Sequence, residues 1–104
     1  MKNTTELLVS IELRGETAHL PAIDAKPVKL ESMSDGSFFL AKSYYYEEAT
    51  DLWQVFEQST GKPVGGCEKT RKKAVAVANE FLARHTQGDF EKFTLAVSHW
   101  PKIN

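Results

Sequence analysis

The sequence predicts an α+β fold in which an antiparallel β-sheet of five to six strands carries one long helix, from the C-terminal half, on one face. Apolar and polar residues alternate along several short stretches in the first two thirds of the chain, as in half-buried strands. Turn-forming residues separate these stretches. Residues 71–85 then carry apolar side chains three and four apart, which is the spacing of one helix face.

Length and composition indicate a single domain over residues 1–104. Hydrophobic residues make up 41% of the chain and charged residues 26%, a balance typical of folded rather than disordered proteins. One cysteine cannot form an internal disulfide, which favours a cytoplasmic location. No apolar run has the length of a secretion signal or a membrane span, so we expect no membrane partner.

The first third of the chain contains three predicted strands. Residues 7–14 alternate, and residues 17–20 return after a turn and end before Pro21. Residues 28–33 alternate again, and a tight turn at residues 34–37 follows.

The predicted strand at residues 38–46 is apolar on both faces. Alternation places Phe38, Leu40, Tyr44 and Tyr46 on one face and Phe39, Ala41 and Tyr45 on the other. Two apolar faces indicate a strand that is covered on both sides. The second cover is either the C-terminal segment or another copy of the chain, and the latter alternative predicts a homodimer.

The second half of the chain begins with an acidic connector at residues 47–51. Strands are predicted at residues 52–57 and 64–67, with a turn at residues 59–62 between them. The main helix follows at residues 71–85.

The helix prediction includes both of its ends. Thr70 is the expected N-cap, and the apolar face consists of Ala74, Val77, Ala78, Phe81, Leu82 and His85. A second, short helix is predicted at residues 90–97, with Asp89 as its N-cap, and Trp100-Pro101 ends it.

Charge is divided unevenly, although the formal net charge is −1. Residues 1–52 hold five Lys/Arg and nine Asp/Glu, whereas residues 53–104 hold eight and five. Four of the cations surround the start of the main helix, namely Lys69, Arg71, Lys72 and Lys73. The free N–H groups and the helix dipole already make that end positive, so each cation there costs about 0.3–1 kcal/mol.

Two interpretations of this cluster stay open. Gly65 and Gly66 followed by a positive helix start form an anion site, for which the candidate residues are Lys69, Thr70, Arg71, Lys72 and Lys73. Such a site would bind phosphate, a nucleic-acid backbone or an acidic protein. Alternatively, the cluster is a solvated charge run that Glu68 and the acidic connector balance.

Within residues 65–78, two glycines precede a threonine cap, a basic run and alanines on the packed helix face. This run resembles the entry to the last helix of double-stranded RNA-binding domains. The resemblance implies that Arg71 and Lys72 grip phosphates across an RNA groove. Val75 stands where that family has a further lysine, and no predicted helix precedes the strands to match the family's first helix.

Aromatic side chains define a second candidate surface, for a dimer or a ligand. Its residues are Phe38, Tyr44, Tyr45, Tyr46 and Trp53. Aromatic rings on an open sheet face stack bases in RNA-binding folds. Buried tyrosine and tryptophan also fill cores and dimer interfaces, and Lys42 is the one basic residue interleaved with this set.

Catalytic chemistry has little support in the sequence. Cys67 lies just before the positive helix start, a setting that raises thiol reactivity, but a nucleophile also needs a base. His85 lies at the far end of the helix, about 20 Å away by helical rise, so we expect Cys67 to be a buried strand residue. The histidines at 19, 85 and 99 lack metal-ligand spacing. We expect no catalytic residue, metal or cofactor.

Three functions are consistent with these features. The leading one is a small non-enzymatic binding or interaction module that forms a homodimer. The second is nucleic-acid backbone binding through residues 69–73. The third is a small-ligand pocket between sheet and helix, beside Trp53, Tyr45 or Cys67, with weak enzymatic activity.

Overall fold

A computed structural model describes residues 7–33 and 36–86, together with Lys92 and Leu95. The elements in chain order are β1 (Leu8–Leu13), β2 (Glu16–Pro21), β3 (Lys26–Val28), a 3-10 turn (Glu31–Met33), β4 (Phe38–Tyr45), β5 (Glu48–Glu57), β6 (Pro63–Glu68) and α1 (Arg71–Thr86). All strand pairs are antiparallel. In this part of the chain, no helix is long and apolar enough to cross a bilayer.

The strands form two sheets rather than one. β1 and β2 make a separate hairpin, and the other strands make a four-stranded sheet in the order β3-β4-β5-β6. The predicted α+β class is confirmed, but the predicted single sheet of five to six strands is wrong. The hairpin lies on the sheet face opposite α1, where Val9 packs with Phe39, Ala41 and Phe56.

Strand β4 is therefore covered on both faces from within the chain. One face, which includes Phe38 and Leu40, belongs to the core under α1. The other face includes Phe39, whose ring stacks on that of Phe56 with centroids 5.4 Å apart, and it belongs to the core under the hairpin. The predicted homodimer across the second face of this strand receives no support from the fold.

The core under α1 joins the helix to the sheet. Its buried members are Leu30, Met33, Phe38, Leu40, Val55, Val64, Ala74, Ala78 and Leu82. The helix contributes Ala74, Ala78 and Leu82 to this core, while Phe81, which the apolar spacing placed on the same face, is 36% exposed. Small residues at two of the three buried helix positions let the helix backbone lie close to the sheet.

Two predicted boundaries are wrong. The strand predicted at residues 28–33 is instead Lys26–Val28, followed by a 3-10 turn at Glu31–Met33. This path of the chain buries both Leu30 and Met33 in the core under α1. The acidic connector at 47–51 is largely the beginning of β5, which starts at Glu48. The predicted helix at 90–97 lies outside the described residues except for Lys92 and Leu95, which are helical.

The pairing of β4 with β5 shifts register between Lys42 and Tyr44. Lys42 lies opposite Trp53, but Tyr44 lies opposite Ala49. Three residues of β5, at positions 50–52, thus lie opposite Ser43 alone. An irregularity of this kind bends and twists a strand locally.

Hydroxyl groups hold the shifted segment in place. The Ser43 and Thr50 hydroxyl oxygens lie 2.6 Å apart, and Thr50 also donates to the Ser43 carbonyl over 3.2 Å. The Leu52 N–H in turn donates to the Thr50 hydroxyl over 3.1 Å. The Ser43 carbonyl and the Leu52 N–H, which lie at the shift, thus find partners in the Thr50 hydroxyl.

The register shift also corrects the predicted faces of β4. Simple alternation places Tyr44 on the same face as Phe38, whereas its ring packs with Phe39 and Ala41 under the hairpin. Its hydroxyl donates to the Pro21 carbonyl over 2.6 Å. Tyr44 therefore fastens the hairpin to the sheet.

The turn between β5 and β6 is built around the buried carboxylate of Glu57. Its two oxygens accept from the Ser59 and Thr60 N–H groups and from both of their hydroxyls, over 2.7–2.9 Å. The same turn contacts β1, because the Ser10 N–H donates to the Gly61 carbonyl over 2.8 Å and the Ser10 hydroxyl donates to the Thr60 carbonyl. The turn thereby fixes the hairpin against one end of the sheet.

Gly65 lets α1 approach β6 closely. Its φ of +84° lies in the left-handed region, and a Cβ there would lie 3.1 Å from Val77 Cγ1 and 3.2 Å from Ala78 Cα. We expect Gly65→Ala to lower the free energy of unfolding by about 1–3 kcal/mol, because it adds both backbone strain and a clash with the helix. Urea unfolding followed by circular dichroism measures the loss.

The neighbouring glycine is the matched control for this prediction. A Cβ at Gly66 meets nothing within 4 Å. Gly66→Ala should change the free energy of unfolding by less than about 0.5 kcal/mol. Equal losses in the two variants would show that close packing of α1 on β6 does not explain Gly65.

Candidate polyanion-binding surface

Trp53 lies between cations from two different elements. It sits on β5, half-buried at the edge of the core under α1. Lys42 Nζ, from β4, lies 4.4 Å from the centroid of the indole ring, and Arg71 Cζ, from the start of α1, lies 4.6 Å from it. Both distances are within the range of cation–π attraction, worth about 0.5–1 kcal/mol each at exposed sites.

The sheet register produces this arrangement. Lys42 and Glu68 both lie directly opposite Trp53, on the two neighbouring strands. Opposite residues in antiparallel strands point to the same face, so the three side chains form a row across the sheet. The chain turns from Glu68 into α1 within two residues, which carries Arg71 over the same ring.

Thr70 is the N-cap of α1, as the sequence predicts. Its hydroxyl accepts from the Lys73 N–H over 3.1 Å, and its carbonyl accepts from the Ala74 N–H over 3.0 Å. The N–H groups of Arg71 and Lys72 have no intrahelical partner, since they belong to the first turn. The first turn contains no acidic residue.

Five cations thus meet around one end of the sheet. We call Lys42, Lys69, Arg71, Lys72 and Lys73 the basic surface. Lys42 is half-buried and the other four are exposed. Among the described residues, none of these five cations forms an ion pair with a carboxylate. An ion pair does join Arg84 to Glu80, farther along α1.

The interpretation of this cluster as an internally balanced charge run receives no support from contacts. Glu68 is half-buried in the row with Trp53 and forms no ion pair with the described cations. The acidic residues of segment 47–51 are exposed on the β4–β5 hairpin and form none either. The charge of the five cations is therefore not cancelled by a direct ion pair with the described carboxylates.

The five aromatic residues of the second candidate surface do not share one face. Phe38 is buried under α1, and Tyr44 packs under the hairpin. The Trp53 ring is in contact with Lys42 and Arg71. Tyr45 and Tyr46 remain, 69% and 65% exposed at the end of the β4–β5 hairpin.

Cys67 is exposed, so the prediction of a buried cysteine is wrong. Residues 65–67 of β6 lie opposite Gln54 alone, and this irregularity breaks the alternation on which the prediction relied. The Gln54 side chain donates to the Gly65 carbonyl over 2.8 Å. In residues 7–33 and 36–86, no three His, Cys, Asp or Glu side chains are placed to hold a metal ion.

Three cavities lined by described residues lie away from the predicted ligand pocket. They measure about 250, 520 and 240 Å³ and lie between β1 and β5–β6, between the two hairpin turns, and beside β3. None of the three is lined by Trp53, Tyr45 or Cys67. These cavities give no support to a pocket between sheet and helix.

Lys42 is the residue that sequence reasoning left out of the basic cluster. It is distant from residues 69–73 in the sequence, and only the pairing of Lys42 with Trp53 brings it there. Continued from Tyr44–Ala49, a regular ladder would pair Lys42 with Asp51 instead. The available signal was an isolated lysine on a strand otherwise rich in apolar residues.

A helix start optimised for stability would carry an acid at position 73. Lys73→Glu should raise the free energy of unfolding by about 0.5–1 kcal/mol, because a glutamate three residues after a threonine cap suits the dipole and completes a capping box. Thermal or urea unfolding measures the gain. Thr70→Ala, which removes the cap, should lose about 1 kcal/mol in the same assay, and a Lys73→Glu variant less stable than the parent would contradict the argument.

Comparison of the chain with known protein families, with curated proteins and with solved structures found no match. The resemblance of residues 65–78 to double-stranded RNA-binding domains receives no support from these comparisons.

Proposed function

We propose that this protein is a non-enzymatic binding module that binds a nucleic-acid backbone through its basic surface. The observation that carries the proposal is the placement of Lys42 and Arg71 on the Trp53 ring, beside Lys69, Lys72 and Lys73 at the start of α1, with no ion pair from these five to a described carboxylate. Phosphates along a nucleic-acid strand are the regularly spaced anions that such a group suits.

The energetics of the helix start support a ligand. Each cation beside the positive end of the dipole is unfavourable, and the described residues supply no compensating ion pair. A phosphate placed there would meet the free N–H groups of Arg71 and Lys72 as well as the side-chain cations. Bound phosphate thus offsets the unfavourable interaction between these cations and the helix dipole.

The contacts of Trp53 restrict the positions of two cations of the basic surface. Its ring contacts both Lys42 and Arg71, which limits the freedom of two long side chains. Cations that are held before binding lose less entropy when phosphates arrive. Because its ring already contacts two cations, Trp53 positions the charges, and we do not expect a base to stack on it.

Removal of cations should weaken binding to a fluorescein-labelled oligonucleotide of about 20 nucleotides, followed by fluorescence anisotropy at low salt. We expect Arg71→Ala/Lys72→Ala to lower the affinity at least tenfold and to reduce the slope of log K against log salt by about 1–2. Lys42→Ala should lower the affinity and the slope by a smaller amount. Single-stranded and duplex DNA and RNA of equal length serve as probes.

The matched control is Arg84→Ala, which removes an exposed cation from the opposite end of the same helix. It should leave the affinity within about twofold of the parent, since only long-range charge is lost. Absence of binding to all four probes at low salt would overturn the proposal. An Arg84→Ala loss equal to that of the double variant would show that net charge, and not this surface, governs binding.

Trp53 supplies a second readout, which tests location directly. The chain contains two tryptophans, so Trp100→Phe leaves Trp53 as the sole indole emitter. Phosphate bound to Lys42 and Arg71 beside the ring should change its emission, and the change should follow the anisotropy titration. Binding without any change in Trp53 emission would place the ligand elsewhere.

A further inference from the structure

Beyond the register shift, β4 and β5 continue as a two-stranded ribbon, which we define as residues 43–51. The pairs of β3 with β4 extend only to Leu40, and those of β6 with β5 extend only to Trp53. Among the described strands, none flanks the ribbon on either side. Its outer part, residues 45–49, is exposed, whereas Ser43 is buried and Tyr44 packs under the β1–β2 hairpin.

The end of the ribbon carries two exposed aromatic rings. Tyr45 and Tyr46 contact each other edge to face, with centroids 4.6 Å apart. Tyr46 has a φ of 56°, a left-handed conformation that is unfavourable for a bulky residue and easy for glycine or asparagine. The ribbon thus carries a large exposed side chain at a backbone position that does not favour one.

The ribbon is also acidic. Glu47, Glu48 and Asp51 are exposed, and none of them forms an ion pair with a cation of the described residues. The turn of the β1–β2 hairpin lies beside the ribbon end, and Glu12, Leu13 and Arg14 line a depression of about 520 Å³ together with Tyr46 and Glu47. The ribbon thus presents carboxylates and aromatic rings together.

We propose that the ribbon end docks on the basic surface of a second copy of this chain. Its three carboxylates complement the five cations, and the tyrosine rings offer faces on which Lys or Arg side chains pack. The basic surface ends at the Lys42–Trp53 pair, and the ribbon begins at the next residue of β4. Each copy carries both surfaces, so a twofold axis that sets each ribbon end against the other copy's cations gives one closed dimer.

This inference goes beyond the proposed function, because it concerns the ribbon and does not need nucleic acid. The two occupants share the basic surface, so each displaces the other by mass action. Self-association therefore limits access of nucleic acid at high protein concentration. The dimer is also sensitive to salt, because its contacts are between exposed charges.

Charge reversal in two variants tests the contact. Glu47→Lys/Glu48→Lys changes the ribbon from three carboxylates to two cations and one carboxylate, which gives two positive surfaces. Lys69→Glu/Arg71→Glu/Lys72→Glu/Lys73→Glu changes the basic surface from five cations to one cation and four carboxylates, which gives two negative ones. Sedimentation velocity over about 10–200 µM at low salt should show a concentration-dependent dimer for the parent and monomers for each variant. An equimolar mixture of the two variants should restore a dimer, because both of its contacts then join opposite charges.

The control reverses two carboxylates that lie outside both surfaces, in Glu31→Lys/Glu80→Lys, and should dimerise as the parent does. A monomeric parent at the highest concentration, or a mixture that stays monomeric, overturns the proposal. Growth beyond a dimer overturns the twofold arrangement. Glu47→Lys/Glu48→Lys should bind the oligonucleotide at least as tightly as the parent, so loss of dimer and loss of nucleic-acid binding are distinguished.

Tyr46→Gly separates the aromatic contact from the charges. It relieves the left-handed backbone at position 46, so the variant should unfold at an equal or higher urea concentration than the parent. Its dimer should nevertheless be weaker, by about threefold or more in dissociation constant. A variant with unchanged self-association would remove the tyrosines from the contact.

Discussion

The change of register between Lys42 and Tyr44 is the constraint on which the described surfaces depend. It places Trp53, rather than Asp51, opposite Lys42 and so puts an aromatic ring between two cations instead of closing an ion pair. It also turns Tyr44 towards the β1–β2 hairpin, and beyond it β4 and β5 continue without flanking strands. The hydroxyls of Ser43 and Thr50 hold this geometry.

Periodicity predicts most of the secondary structure but not the arrangement of the sheets. Alternation identifies β1, β2 and β4, and the 3.6-residue repeat with Thr70 identifies α1. The two apolar faces of β4 correctly indicate two covers. Which element supplies the second cover depends on long-range packing of Val9 on Phe39, which local patterns do not encode.

Local sequence patterns likewise predict only part of the basic surface, because Lys42 reaches it through strand pairing. Residues 69–73 adjoin in sequence, so a charge count and a capping rule suffice to find them. Lys42 and Trp53 join them through strand pairing. That pairing cannot be extrapolated from the turns, because the register shifts at Ser43 and at Gly65–Cys67. Alternation fails at Tyr44 and Cys67 for this reason, and both lie at or beside a shift.

The part of the ribbon beyond Tyr44 contributes nothing to the described packed layers. Apart from Tyr44, no residue of 43–51 belongs to either described core cluster. Changes in length beyond Tyr44 therefore transmit little strain to the packed layers. The hairpin tip is thus a natural insertion point, where a reporter peptide or an epitope can be grafted while the layers beneath keep their packing.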